Sequence, residues 1–468
     1  MISMSLADIA TTMSGTLILS ANGATAETTI SGLTDTDSRL ITPGDIFVAK
    51  PGEFTDGHLF IPAAVENGAA VVIVDHEVDT TVPQIVVEDT VVAMGALATE
   101  VVARVRAGGN LTVVGITGSN GKTTTKNLVA TMCEQVGPTV YPRDSFNNEV
   151  GAPITMLKIT EDTRYLVLEL GASGKGHITR LTDMVRPDIA VVLMVGLAHA
   201  GEFGGVEVTV DSKRELVEAL GSDGITILNA DDPRVMSMTE AAPGKIVTFG
   251  HSSDADVRVS DLSSSIAGTQ FDLHTPAGDV HVNFQVLGEH HAMNAAAATA
   301  VALTLGFDLD LVVSSLQSVT RAEHWRMELM GGNGVTIIND AYNASPDSMA
   351  AALKTLRQVA GPENRTIAVL GEMAELGQYA GEEMDNLALL IVRLGIDELV
   401  VVGDGARRLH ISAINEGSWD GESKFYSTPD EAYDYLSSLL RAGDIVLVKS
   451  SNSAKLRFLG DRLGEAYA

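Results

Sequence analysis

The chain has 468 residues, 45% hydrophobic and 20% charged, a globular composition too long for one compact core. Its 61 acidic and 31 basic side chains give a formal net charge of -30, which argues against non-specific binding to nucleic acid or anionic membrane. Cys133 is the only cysteine, so no intramolecular disulfide can form and a reducing compartment is expected. The start, MISMSLADIA, is unlike a secretory signal, and no apolar run reaches the roughly 20 residues of a membrane span. A cytoplasmic protein without membrane insertion is the expectation.

In chain order, DIFVAK (45–50) and AAVVIVD (69–75) read as buried strands, with a helix DGHLFIPAAVENG (56–68) between them. A second helix, VVAMGALATEVVARV (91–105), runs into a turn-forming linker AGGN (107–110). The strand LTVVGITG (111–118) opens a second unit, followed by YLVLEL (165–170), IAVVLMV (189–195) and GITILNA (224–230). Strands alternating with helices predict a parallel sheet covered on both faces. The polar, alternating stretch from DVRVS (256–260) to VHVNFQV (280–286) predicts antiparallel strands. A third unit begins near HWRMELM (324–330) and carries the strands TIAVLG (366–371), ELVVVGD (398–404) and DIVLVKS (444–450). The prediction is an α/β protein of three domains, 1–107, 108–323 and 324–468.

GITGSNGKTTT (115–125) sits between an apolar strand and a segment whose Leu128, Met132 and Val136 recur at helical spacing. Glycines there let backbone N–H groups converge on an anion at a helix N-terminus. Lys122 would reach terminal phosphates and the Thr123 hydroxyl would join a magnesium shell. Glu169 ends a buried strand, the edge where α/β sheets place ligands. On chemistry alone Lys213 reads as an exposed lysine on a helix capped by Asp211 or Ser212. By the same reasoning His199 reads as a structural loop histidine, and the alanine-rich 287–303 as a packing helix.

GSNGKTT resembles the loop of the Mur ligases and their folylpolyglutamate synthetase relatives, which share its departure from the strict P-loop at Ile116. The resemblance covers nearly the whole chain. It implies a magnesium- and ATP-dependent amide ligase, a monomer, with an N-terminal UDP-sugar domain, a central ATP domain and a C-terminal Rossmann-like domain. By resemblance, Gly118, Ser119, Asn120, Gly121, Lys122, Thr123 and Thr124 hold ATP. Asn294 would approach adenine, and Arg326 and Asp340 the nucleotide's phosphates and ribose, on a domain that clamps ATP when it closes. Glu169, His199 and a carbamylated Lys213 would hold magnesium. Ser38 and Arg39, with Asp56, Gly57 and His58, match elements that bind the UDP-sugar; Asn147 and Asn148 match a pair near the reacting carboxylate. His177 and His291 replace a family glutamate and a family asparagine.

NDAYNASPDSM (339–349) and GEMAELG (371–377) resemble the family branch that joins D-alanyl-D-alanine to UDP-N-acetylmuramoyl-tripeptide through an acyl phosphate. Two stretches depart from it: GQYAGEEMDN (377–386) lacks a usual histidine, and VKSSNSAKL (448–456) replaces a common VKGSR-like run. The alternatives are the branch that adds the third amino acid, a folate-type ligase, or a nucleotide-driven switch that hydrolyses ATP without substrate.

Overall fold

A computed structural model describes residues 1–20, 23–52, 55–142, 145–172, 174–196, 205–319, 323–416, 419 and 421–468. The main sheets follow the three units read from the sequence, and the fold is mixed α/β. The first has five strands in the order Thr16–Ile18, Gln84–Val86, Val71–Val74, Ile46–Val48, Thr34–Asp35, parallel except for the first pair. Ile46–Val48 and Val71–Val74 are fully buried, as continuous apolar runs in parallel sheets are.

The helix expected over 56–68 is broken in two. A 3₁₀ turn, Gly57–Phe60, precedes an α-helix confined to Ile61–Glu66. Pro62 explains the break: it lacks an N–H and is accommodated only in a first turn.

The central sheet has nine strands, running from Gly278–Phe284 through Gly268–Thr275, Val257–Ser265, Lys245–Gly250, Ile225–Asn229, Ile189–Val192, Thr112–Thr117 and Tyr165–Glu169 to Thr139–Val140. Its last seven, from Val257–Ser265 on, are mutually parallel, and the expected antiparallel pairing is confined to the three strands between Val257 and Phe284, which extend the same sheet. The third sheet has six strands, five of them parallel, with Glu328–Gly332 antiparallel at one edge.

The helix Thr90–Ala107 buries Met94, Leu97, Ala98 and Val101 against elements of the central unit, so the first two units share one apolar core. Arg106 seals the seam, donating to Asp188 Oδ1 at 2.7 Å and to the Arg186 carbonyl at 2.8 Å. The third unit has its own core, which Leu287 enters from the central unit, and polar side chains also cross between the two. Arg326 reaches Thr123, Ser345 donates to Asn120 Oδ1 at 3.2 Å, and Gln358 donates to Glu289 at 2.9 Å.

Candidate active site

The strand Thr112–Thr117 lies between Ile189–Val192 and Tyr165–Glu169, the point where strand order reverses and a crevice opens at the strand ends. The loop Gly118–Gly121 enters that crevice and the helix Lys122–Glu134 leaves it. Gly121 has φ 85°, and a Cβ there would lie 2.4 Å from Asn294 Oδ1, so both backbone and space demand glycine. Lys122 is half-buried, its Nζ donating to the Gly118 carbonyl at 2.7 Å. Burial pushes its pKa down, the charge of Glu169 opposes that, and Arg326 adds to it.

Register places Glu169 beside Ile116, next to the start of the loop. Its Oε2 accepts from the Thr123 hydroxyl at 2.8 Å and its Oε1 from Asn147 Nδ2 at 2.7 Å. Ser145 Oγ lies 3.1 Å from Thr123 Oγ1, and Arg326 Nη2 donates to Thr123 at 3.0 Å. A buried carboxylate beside the Thr123 hydroxyl, with the Ser145 hydroxyl next to that, offers hard oxygen donors and fits magnesium, which takes oxygen ligands.

Lys213 departs from the exposed, N-terminal position expected for it. Its helix, Val206–Glu218, begins five residues before Asp211, so neither Asp211 nor Ser212 is the cap. The side chain is 5% exposed. Two residues on, the Glu215 carboxylate accepts from Gly176 N at 2.6 Å and Thr179 N at 2.9 Å, anchoring this helix against the N-terminus of the earlier helix His177–Val185. Burial, and then the Lys122 charge, lowers the Lys213 pKa from 10.5 to about 7.

Two cavities meet here. One of about 290 Å³ between the central and third units takes in Ser119 to Thr124, Asn294, Arg326 and Asp340. The other, of about 210 Å³, is lined by Gly118, Asn147, Asn148 and Lys213; Lys122 and Asn147 border both. The expected nucleotide residues are thus brought together, and Lys213 lies across Lys122 from them. His199 lies outside the described residues.

Neither cavity, among the described residues, is lined by Ser38, Arg39, Asp56, Gly57 or His58. Arg39 forks onto Asp37, at 2.9 and 2.6 Å. Asp56 accepts from His58 N at 3.0 Å, and the His58 ring joins Asp56 at 2.7 Å to Asp75 at 3.2 Å. Here the Asp-Gly-His run ties a turn to a neighbouring strand.

Sequence reasoning missed Lys449, whose Nζ lies 2.6 Å from Asp340 Oδ2, and Tyr342, whose ring sits 4.3 Å from the Arg326 guanidinium. Both line the larger cavity. Lys449 closes the apolar strand DIVLVK as Glu169 closes YLVLE, and that shared signal would have found it. His291, in place of the family asparagine, is buried and held neutral, its pKa pushed well down by burial first and then by His290.

A parallel sheet that opens on a glycine loop and lysine, beside an oxygen-rich carboxylate, defines a phosphate-binding enzyme site. Three family models match in sequence: the Mur ligase family catalytic domain over residues 30–108, the Mur ligase middle domain over 116–302, and the Mur ligase glutamate ligase domain over 325–452. The chain belongs to the Mur ligase family. It is 39% identical to the UDP-N-acetylmuramoyl-tripeptide--D-alanyl-D-alanine ligase of Mycobacterium tuberculosis, over 99% of this chain and 98% of that one. To the Escherichia coli enzyme of the same name it is 32% identical, over 97% of each. The structure of MurF from Acinetobacter baumannii superposes with a TM-score of 0.87 at 30% identity, over 99% of both chains. The MurF ligase of Thermotoga maritima in complex with ADP superposes with a TM-score of 0.81 at 27% identity, over 94% of this chain and 99% of that one.

Proposed function

We propose that this protein is the ATP-dependent ligase that joins D-alanyl-D-alanine to UDP-N-acetylmuramoyl-tripeptide in peptidoglycan precursor synthesis. The observation that carries the reading is the junction of the two cavities at Lys122 and Asn147, one side suited to a nucleotide and the other to a reacting carboxylate. Relatives matched along their whole length bear the dipeptide ligase name, which favours this branch over the one adding the third residue.

In the first step a tripeptide carboxylate oxygen attacks the γ-phosphorus of ATP, the bond to the β–γ bridging oxygen breaks, and ADP leaves. The loop amides and Lys122 hold the terminal phosphates, and Arg326 and Asp340 clamp the nucleotide from the third unit. Asn294 and the buried His291 border the base and ribose. In the second step the amine nitrogen bonds to the acyl carbon, the carbon–oxygen bond to phosphate breaks, and phosphate departs with the electron pair. Magnesium, held by Glu169, Thr123, His199 and a carbamate on Lys213, would neutralise charge on the phosphoryl oxygens. Asn147 and Asn148 orient the reacting carboxylate. Ser38, Arg39, Asp56, Gly57 and His58 hold the UDP-sugar, which requires Arg39 to exchange Asp37 for a phosphate. The protein acts as a cytoplasmic monomer; among the described residues no helix is long and apolar enough to cross a membrane.

A lysine pKa near 7 supports the carbamate. The uncharged amine adds to CO₂, losing one proton, and a buried cation becomes an anion. Lys213→Ala is expected to lower turnover at least a hundredfold, with partial recovery on adding acetate or propionate. No recovery with any short carboxylate would count against the modification.

The decisive assay is phosphate release with D-alanyl-D-alanine, meso-diaminopimelate and L-lysine offered in turn. Release should require both UDP-tripeptide and D-alanyl-D-alanine. Substrate-independent hydrolysis would point to the switch instead.

A further inference from the structure

The segment GEMAELG (371–377) leaves the carboxyl end of the strand Arg365–Leu370 and gives the third unit its place in the smaller cavity. Its backbone is pinned. Gly371 N donates to the Lys449 carbonyl at 2.9 Å, Ala374 N to Ser451 Oγ at 2.7 Å, and Ser451 N to the Glu372 carbonyl at 2.9 Å. Met373 and Leu376 are sunk in the third unit's core, at 4% and 1% exposure. Between them Glu375 is turned outward with φ 64°, in the left-handed region that favours glycine. A side chain kept at a strained position, by a loop braced on both sides, marks a functional constraint.

Glu375 lines the cavity that also holds Lys122, Lys213 and Asn147, and among the described residues it is the lining's one member from the third unit. The larger cavity suits the nucleotide, so this side is where the amino component must approach the acyl phosphate. An amine arrives at neutral pH as an ammonium ion, which needs a carboxylate partner and must lose a proton before it can attack. Glu149, the other carboxylate in the lining, belongs to the central unit and carries no such backbone strain.

We infer that Glu375 binds the ammonium group of the incoming dipeptide and accepts its first proton. The freed nitrogen pair then forms the bond to the acyl carbon, the carbon–oxygen bond to phosphate breaks, and the second proton leaves the adduct with the departing phosphate. This rests on the ligase reading above.

The test separates the half-reactions. Hydroxylamine is largely uncharged at neutral pH and needs no proton acceptor, so it traps the acyl phosphate formed from ATP and UDP-tripeptide as a hydroxamate. Glu375→Gln should form hydroxamate at the wild-type rate while kcat/KM for D-alanyl-D-alanine falls about a hundredfold, within the range of a lost acid–base group. Glu375→Gly removes the backbone strain: its Tm should be at least that of wild type, with the same loss of ligation. Wild-type ligation in Glu375→Gln, equal loss of hydroxamate, or the same defect in Glu149→Gln instead would each overturn the assignment. Absence of hydroxamate from the wild-type protein would defeat the ligase reading itself, and is therefore distinguishable.

Discussion

Lys122→Ala is expected to leave a folded protein whose turnover falls about a thousandfold, roughly 4 kcal/mol of transition-state stabilisation. The loss falls on chemistry because Lys122 is the cation at the junction of the two cavities, half-buried, where charge on the transferring phosphoryl group is poorly screened. Folding should be spared. A lysine whose pKa is depressed in the folded chain is charged at a cost at neutral pH, and alanine removes that cost together with the hydrogen bond to Gly118. Tm should therefore stay within a few degrees of wild type or rise. A large fall in Tm, or turnover near normal, would refute the assignment.

Glu169→Gln should lower turnover by a hundredfold or more and raise the magnesium concentration needed for half-maximal rate. The substitution keeps the size of the side chain but removes the charge that a divalent ion would meet. It also sets an amide NH₂ against either Thr123 or Asn147, both of which now donate to the carboxylate. A Tm lower by several degrees is expected, since a donor losing its acceptor in a buried site costs about 1–3 kcal/mol. Magnesium titration distinguishes the two effects: an unchanged half-maximal concentration would mean Glu169 acts only through packing.

The phosphate loop and Glu169 were legible in the sequence because their meaning is local. A glycine turn between an apolar strand and a helix, and an acid at a strand's carboxyl end, need no distant partner to be recognised. Lys213 was not legible on chemistry alone. Its helix starts inside the β-branched run VEVTV, which local propensity reads as strand-like, and burial of Thr209 and Val210 overrides that preference. Only the family resemblance singled it out. The Asp340–Lys449 pair joins residues 109 apart in sequence, and the ring under Arg326, Tyr342, lies in the loop just past the strand Val335–Asn339, whose position only the packed sheet defines. The smaller cavity was invisible for the same reason, being assembled from loops and helices of two units.

The first two units share a continuous apolar core, whereas hydrogen bonds to the third can be exchanged for water at about 0.5–1.5 kcal/mol each. The easier separation is therefore at the second seam, and it withdraws Arg326, Asp340 and Glu375 together. An energised acyl group would then be made only under a cover that also brings its acceptor's docking point. Hydrolytic waste would then be held down by architecture, since the half-assembled machine would lack the grip to fire.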